Sequence, residues 1–177
     1  TQHQGVHPCI GAVDVVPFVP LGNTPLEDCV AMATAFAARL ANDLELPTYL
    51  YAAAAAQWTP DRKSLAWLRK PGFEGLVPAL NSKERKPDVG PSRPHPTAGV
   101  TAVGARGVLV AFNIDVATTE LKIAKAIARA VRESSGGLVG VQAKGLALPE
   151  QARVQVSMNL LGTAAQNPGA VFREVER

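Results

Sequence analysis

The strongest constraint in this chain is one amphipathic helix pattern set between two strand-like runs. Thr24-Pro25-Leu26-Glu27 has the form of a capping box with proline at the first helical position. Leu26, Val30, Ala33, Ala37, Leu40 and Leu44 then recur at alternating spacings of four and three, which places them on one helical face. Pro47 stops the pattern. Upstream, residues 12–19 put Val13, Val15 and Val19 on one side and Val16 and Phe18 on the other, as a buried strand does. Pro17 and Pro20 set its end near the following turn. Downstream, residues 48–51 read as a short strand. Strand, helix and strand in close succession commit this region to a helix layered on a sheet.

The same order returns further on. Residues 107–116 read as a strand. Residues 120–134 read as a helix opened by Thr119, with Ile123, Ala124, Ile127 and Val131 facing inward and Ser134-Ser135-Gly136-Gly137 closing it. Residues 138–144 are a further strand. Residues 152–161 alternate cleanly through Val154, Val156, Met158 and Leu160. Pro168 opens a short helix to Val175. Between the two halves lie a short helix over residues 64–69, ended at Pro71-Gly72, and a long Pro/Gly-rich loop over residues 81–99. The expected class is α+β: a ferredoxin-like split βαβ arrangement, with a mixed sheet and helices packed on one face.

Composition removes several functional classes. The 177 residues carry 47% hydrophobic and 19% charged residues, a balance that builds a core rather than a disordered chain. The net charge of +3 suits small anions without demanding nucleic acid. With 5% aromatics and no basic stripe, a base-stacking platform is not expected. No apolar run is long enough for a bilayer, so no membrane partner is expected. Residues 1–6 are polar and do not resemble a signal peptide. The first residue is Thr1 rather than methionine, which fits a processed, trimmed or partly observed chain. Two cysteines, Cys9 and Cys29, make no disulfide framework, and a reduced, cytoplasmic setting is the expectation.

Two segments carry chemistry. In the first, His3-Gln4-Gly5-Val6-His7-Pro8-Cys9-Ile10-Gly11-Ala12-Val13-Asp14, histidine titrates near neutrality and can accept and donate a proton. His7 is thus a candidate acid/base, set against an ordinary loop histidine. A zinc site from His3, His7 and Cys9 is the weaker reading. The His-x-x-x-His spacing works on a helix, and Gly5 and Pro8 break one, so no metal is expected. Cys9 reads as a small buried thiol rather than a nucleophile. The second segment, residues 88–99, combines prolines that stiffen a loop with glycines that admit close backbone approach. Its plain alternative is a rigid surface connection. Arg106 offers a fork for a carboxylate, against a surface ion pair.

His3-x-Gly5-x-His7-Pro8-x-x-Gly11-Ala12-x-Asp14-Val15-x-Pro17-Phe18-x-Pro20 resembles the HxGxHPxxGAxDVxPFxP signature of the glutamate formiminotransferase family. Leu46-Pro47-Thr48-Tyr49-Leu50-Tyr51, Gly72-Phe73-Glu74-Gly75-Leu76, Pro87-Asp88-x-Gly90-Pro91, His95-Pro96-Thr97-Ala98-Gly99 and Val154-Gln155-Val156-Ser157-Met158-Asn159 follow in the family's order. The resemblance implies transfer of a formimino group from N-formimino-L-glutamate to N5 of tetrahydrofolate, in histidine degradation. It implies His7 as the catalytic residue. It implies folate contact along Gly90, Pro91, Ser92, Arg93, Pro94, His95, Pro96, Thr97, Ala98 and Gly99. Arg106 is our added candidate for a carboxylate of folate or substrate. The resemblance further implies that residues 1–150 belong to the family's N-terminal subdomain and residues 151–177 begin the C-terminal one. On that reading the sequence holds part of the enzyme, with a homodimer as one expectation for its assembly. A catalytically inactive folate-binding or assembly module is the alternative.

Overall fold

In a computed structural model, residues 8–162 and 167–177 are described. The chain divides between Arg106 and Gly107 into two units, each with its own sheet and its own core.

The first unit opens with the expected strand, helix and strand: β1 (Val15–Phe18), α1 (Leu26–Leu44) and β2 (Thr48–Ala52). Thr24 makes no cap. Its amide turns back to the Leu21 carbonyl at 3.1 Å, and α1 begins after Pro25 with no side-chain cap. The buried stripe of α1 is Cys29, Ala33, Ala37 and Ala41, flanked by Leu26, Val30, Phe36 and Leu40. Small residues four apart let the helix lie close on the sheet and push bulk to its flanks. Leu44, expected inside, is 55% exposed. The helix closes on Glu45 in the left-handed conformation, with the Leu46 amide bonded back to Leu40 O at 3.2 Å.

β3 (Thr101–Ala105) was not among the expected strands, yet it is the central strand of the sheet. It runs between β1 and β2, parallel to both, in the order β1-β3-β2. All five of its residues are buried. Thr-Ala-Val-Gly-Ala has neither bulk nor alternation, so periodicity finds nothing in it. Such a strand is stable here because both faces are covered. On one face Leu50, Val103 and Ala105 pack with the stripe of α1. On the other, Tyr49, Tyr51 and Ala102 pack with Leu68, Leu76 and Leu80. These last come from α3 (Leu65–Arg69), α4 (Gly72–Leu76) and the turn after α4, with α2 (Pro60–Lys63) just upstream. Helices therefore lie on both faces of this sheet, where the sequence pointed to one. Pro17 sits on edge strand β1, where a missing N–H is tolerated.

The second unit comprises β4 (Leu109–Val116), α5 (Leu121–Val131), β5 (Val141–Leu148), β6 (Arg153–Leu161) and α6 (Pro168–Glu176). β6 is central and antiparallel to both neighbours, in the order β4-β6-β5. β4 and β5 are thus parallel to each other, joined through α5, with β6 between them. Val154, Val156, Met158 and Leu160 point into a core with Ala124, Ala128, Val131 and Val171. Ile123, expected inside, is 36% exposed, because Ala124 and Ala128 take the face against the sheet.

The class is α+β, as the sequence indicated. Two three-stranded sheets, one parallel and one antiparallel, replace the single mixed sheet. The division after Arg106 differs from the expected boundary at 150, because β6 pairs with β4 and β5 along its length. Residues on either side of position 150 share one sheet.

Candidate functional site

The site is built where the three parallel strands of the first unit begin. The signature segment runs into β1 alongside the chain that enters β3. The Ala12 amide donates to Ala98 O at 2.9 Å, and the Val100 amide donates to Ile10 O at 3.0 Å. Gly11 and Gly99 form the antiparallel bridge between these bonds. The two backbones approach too closely for side chains. A Cβ on Gly99 would stand 2.9 Å from Ile10 O and 3.2 Å from the Phe73 ring, and Gly99 has φ +73°. Thr101 Oγ1 donates to Val13 O at 2.8 Å and the Ala102 amide to Asp14 O at 3.0 Å, continuing the attachment.

Asp14 braces the same segment from within. Its Oδ1 accepts the Ile10 amide at 2.9 Å, and its Oδ2 meets Arg69 Nη2 at 2.5 Å. Arg69, the last residue of α3, thereby ties the insertion to the signature. Cys9 Sγ donates to Gly11 O at 2.9 Å, and the residue is half-buried where the sequence suggested a buried thiol. His3 and His7 lie outside the described residues, and Pro8 is the first described residue of the signature.

The loop over residues 90–99 is anchored at both ends. At its start, the Thr48 amide donates to Val89 O at 2.9 Å, and the Asp88 and Val89 amides donate to Thr48 O. The Asp88 carboxylate then accepts the Leu50 amide at 2.7 Å, Trp58 Nε1 at 2.6 Å and Arg62 Nη2 at 2.8 Å. The Asp88–Arg62 pair is almost wholly buried. Arg62 also lies over the rings of Tyr49 and Trp58, 4.8 and 5.1 Å from their centroids. Burial pushes the Tyr49 phenol up to about 12, although Arg62 and Arg85 pull it down. Its hydroxyl donates to the Arg85 carbonyl. At the far end of the loop, His95 and Gly99 exchange both backbone hydrogen bonds, at 2.9 and 3.0 Å.

Arg93, Pro94, His95 and Pro96 line a groove of about 450 Å³ with Asp43, Leu44 and Glu45 from the end of α1. Arg93 Nη2 pairs with Glu45 Oε2 at 2.7 Å, both side chains being largely exposed. Arg106 follows the opposite end of β3, so the strand's length, roughly 16 Å at about 3.3 Å per residue, lies between its backbone and the loop. Its guanidinium also acts on the Tyr51 phenol, which burial raises and Arg106 lowers. Among the described residues, no cluster of three or more His, Cys, Asp or Glu side chains is placed to hold a metal ion. No described helix is long and apolar enough to cross a membrane.

Sequence reasoning found the loop and the signature but missed the groups that brace them. Asp88 and Asp14 were visible as acids beside Gly-Pro and Gly-Ala pairs. Their partners Arg62, Trp58 and Arg69 come from the insertion, whose sequence carries no signal pointing to either acid.

Residues 1–106 match the model of the formiminotransferase domain, N-terminal subdomain. The chain is 43% identical over 161 residues to the glutamate formimidoyltransferase of Streptococcus pyogenes, covering 91% of this chain and 53% of that protein. It is 43% identical over 160 residues to the glutamate formimidoyltransferase of Thermoplasma acidophilum, covering 89% and 52%. It is 41% identical over 183 aligned residues to the formimidoyltransferase-cyclodeaminase of Mus musculus, covering 100% and 33%. The chain thus spans about half the length of the first two relatives. The signature segment, the loop it is laced to and these matches together make the chain a member of the formiminotransferase family.

Proposed function

We propose that the protein of which this chain is part is a glutamate formimidoyltransferase, which moves the formimino group of N-formimino-L-glutamate to N5 of tetrahydrofolate in the degradation of histidine. His7 is its acid/base, and residues 90–99 are its folate-contacting segment. The observation that carries this reading is the backbone lacing of residues 10–12 to residues 98–100, because it sets the chain next to Pro8 against the loop. A groove of about 450 Å³ beside that loop is of the size small-molecule sites have. Relatives at 43% identity bear the corresponding name.

The chemistry asks for what this segment offers. N5 attacks the formimino carbon and a tetrahedral adduct forms. The bond from that carbon to the glutamate nitrogen then breaks. One proton leaves N5 and one must reach the departing nitrogen. A single imidazole titrating near neutrality takes the first and returns the second. Folate is a co-substrate that supplies the accepting nitrogen, and no metal is invoked. Residues Gly107–Arg177 are read as the start of the C-terminal subdomain, and their split βαβ topology as ferredoxin-like.

His7→Ala in the full-length protein tests the assignment. Transfer should fall by at least about a hundredfold, the usual lower bound for losing a positioned acid/base. Calorimetry with 5-formyltetrahydrofolate should give nearly unchanged affinity. Undiminished turnover in this variant would remove His7 from the mechanism.

A further inference from the structure

His95 sits within the segment proposed to contact folate, but its ring is set up for a different task from that of His7. Nδ1 lies 3.0 Å from the Ala98 amide and 3.3 Å from the Thr97 amide. A backbone N–H only donates, so Nδ1 must accept. The neutral ring then carries its proton on Nε2. Thr97 Oγ1, 3.4 Å from the same nitrogen, can only add a third donor. The turn that imposes this is itself fixed, by the paired backbone bonds between His95 and Gly99 and by the lacing of Gly99 to Gly11. Among the described residues no hydrogen bond of Nε2 to the protein is found, while His95 lines the groove with Arg93 and Glu45.

We propose that His95 is a specificity-determining residue, a tautomer-locked hydrogen-bond donor whose Nε2–H recognises an acceptor atom of the ligand in the groove, and not a second proton shuttle. This rests on the reading of that ligand as a reduced folate. A folate offers several such acceptors, the ring carbonyl, ring nitrogens and carboxylates. An Nε2–H donor selects for them without taking part in proton transfer. One loop thus supplies recognition while the signature segment supplies the acid/base, and the proton that moves between nitrogens has a single carrier.

The test is long-range nitrogen–proton NMR of the full-length protein, with His95→Gln used to assign the ring. The free protein should show the Nε2–H tautomer with Nδ1 as acceptor. Saturation with 5-formyltetrahydrofolate should shift Nε2. In transfer assays His95→Gln should raise the KM for tetrahydrofolate about tenfold or less, with kcat at saturation retained, the scale of one lost hydrogen bond. An Nδ1–H tautomer, an Nε2 unmoved while other resonances of residues 90–99 shift, or a collapse of kcat at saturating folate would each overturn the proposal. If folate perturbs no resonance at all, the folate reading itself fails, and the recognition role fails with it.

Discussion

Asp88 has three donors on two oxygens and an almost fully buried ion pair with Arg62. Buried pairs of this kind add little net stability, because desolvation offsets much of their attraction. What Asp88 does is fix position, since the start of the loop over residues 90–99 cannot shift without leaving an unpaired buried charge. The same enclosure acts on the chain's only two tyrosines. Burial raises both Tyr49, to about 12, and Tyr51. An unfolded tyrosine loses its proton near pH 10. Between that pH and about 12 the folded form therefore holds more protons than the unfolded form, and stability falls as pH rises. Below pH 10 the contribution is complete. Absorbance at 295 nm should accordingly show no tyrosinate step near pH 10 while far-ultraviolet circular dichroism is native. The step should arrive together with unfolding at higher pH. A normal step near pH 10 in the folded protein would contradict the burial described here.

At the scale of elements, the loop over residues 90–99 is best regarded as a piece of the sheet's margin rather than a free connection. Its entry hangs on β2 and its exit on the segment before β1. Gly99→Val places a Cβ 2.9 Å from a carbonyl oxygen and 3.0 Å from Gly11 Cα, at φ +73°. Overpacking and a left-handed β-branched residue together cost about 2–4 kcal/mol. The backbone must yield, and the lacing to Ile10 and Ala12 is what yields. Folate affinity should drop at least about tenfold in calorimetry, with secondary structure retained, and a Val variant that bound folate as the parent does would sever the link between lacing and binding. In the first unit α1 was legible beforehand by its spacing and the short helix over residues 64–69 by the Pro71-Gly72 that ends it, and in the second unit β6 announced itself by alternation. β3 was not legible, because Thr101-Ala102-Val103-Gly104-Ala105 is chosen for thinness between two covered faces and has no pattern of its own. The loop was readable as stiff and glycine-bounded. Its bracing at Asp88 by Arg62 and Trp58 was not, nor was that of Asp14 by Arg69, since contacts between residues so far apart in sequence leave no local trace.

For the whole molecule, the decisive property is that the two units have separate sheets and separate cores. All the bracing described for residues 8–14 and 88–99 is internal to the first unit, so a lesion confined to the core of the second need not disturb it. Gly145 is the place to make one. In β5 it lies directly beneath α5, and a Cβ there would fall 2.5 Å from Lys125 N and 2.6 Å from the Ala124 carbonyl carbon. Gly145→Val forces α5 off the sheet, at about 1–3 kcal/mol for the overpacking alone. In native-state hydrogen exchange of the variant, amides of α5, β5 and β6 should lose protection by tenfold or more. The Ala12, Val100 and Leu50 amides, which hold the signature and the loop in place, should exchange at their original rates. Separate cores imply separate opening free energies, so the loss stays where the lesion is. Equal loss of protection in both units would mean that they open as one cooperative body. The candidate site would then depend for its stability on residues far beyond Arg106, and the first unit could not be treated as a self-sufficient frame for it.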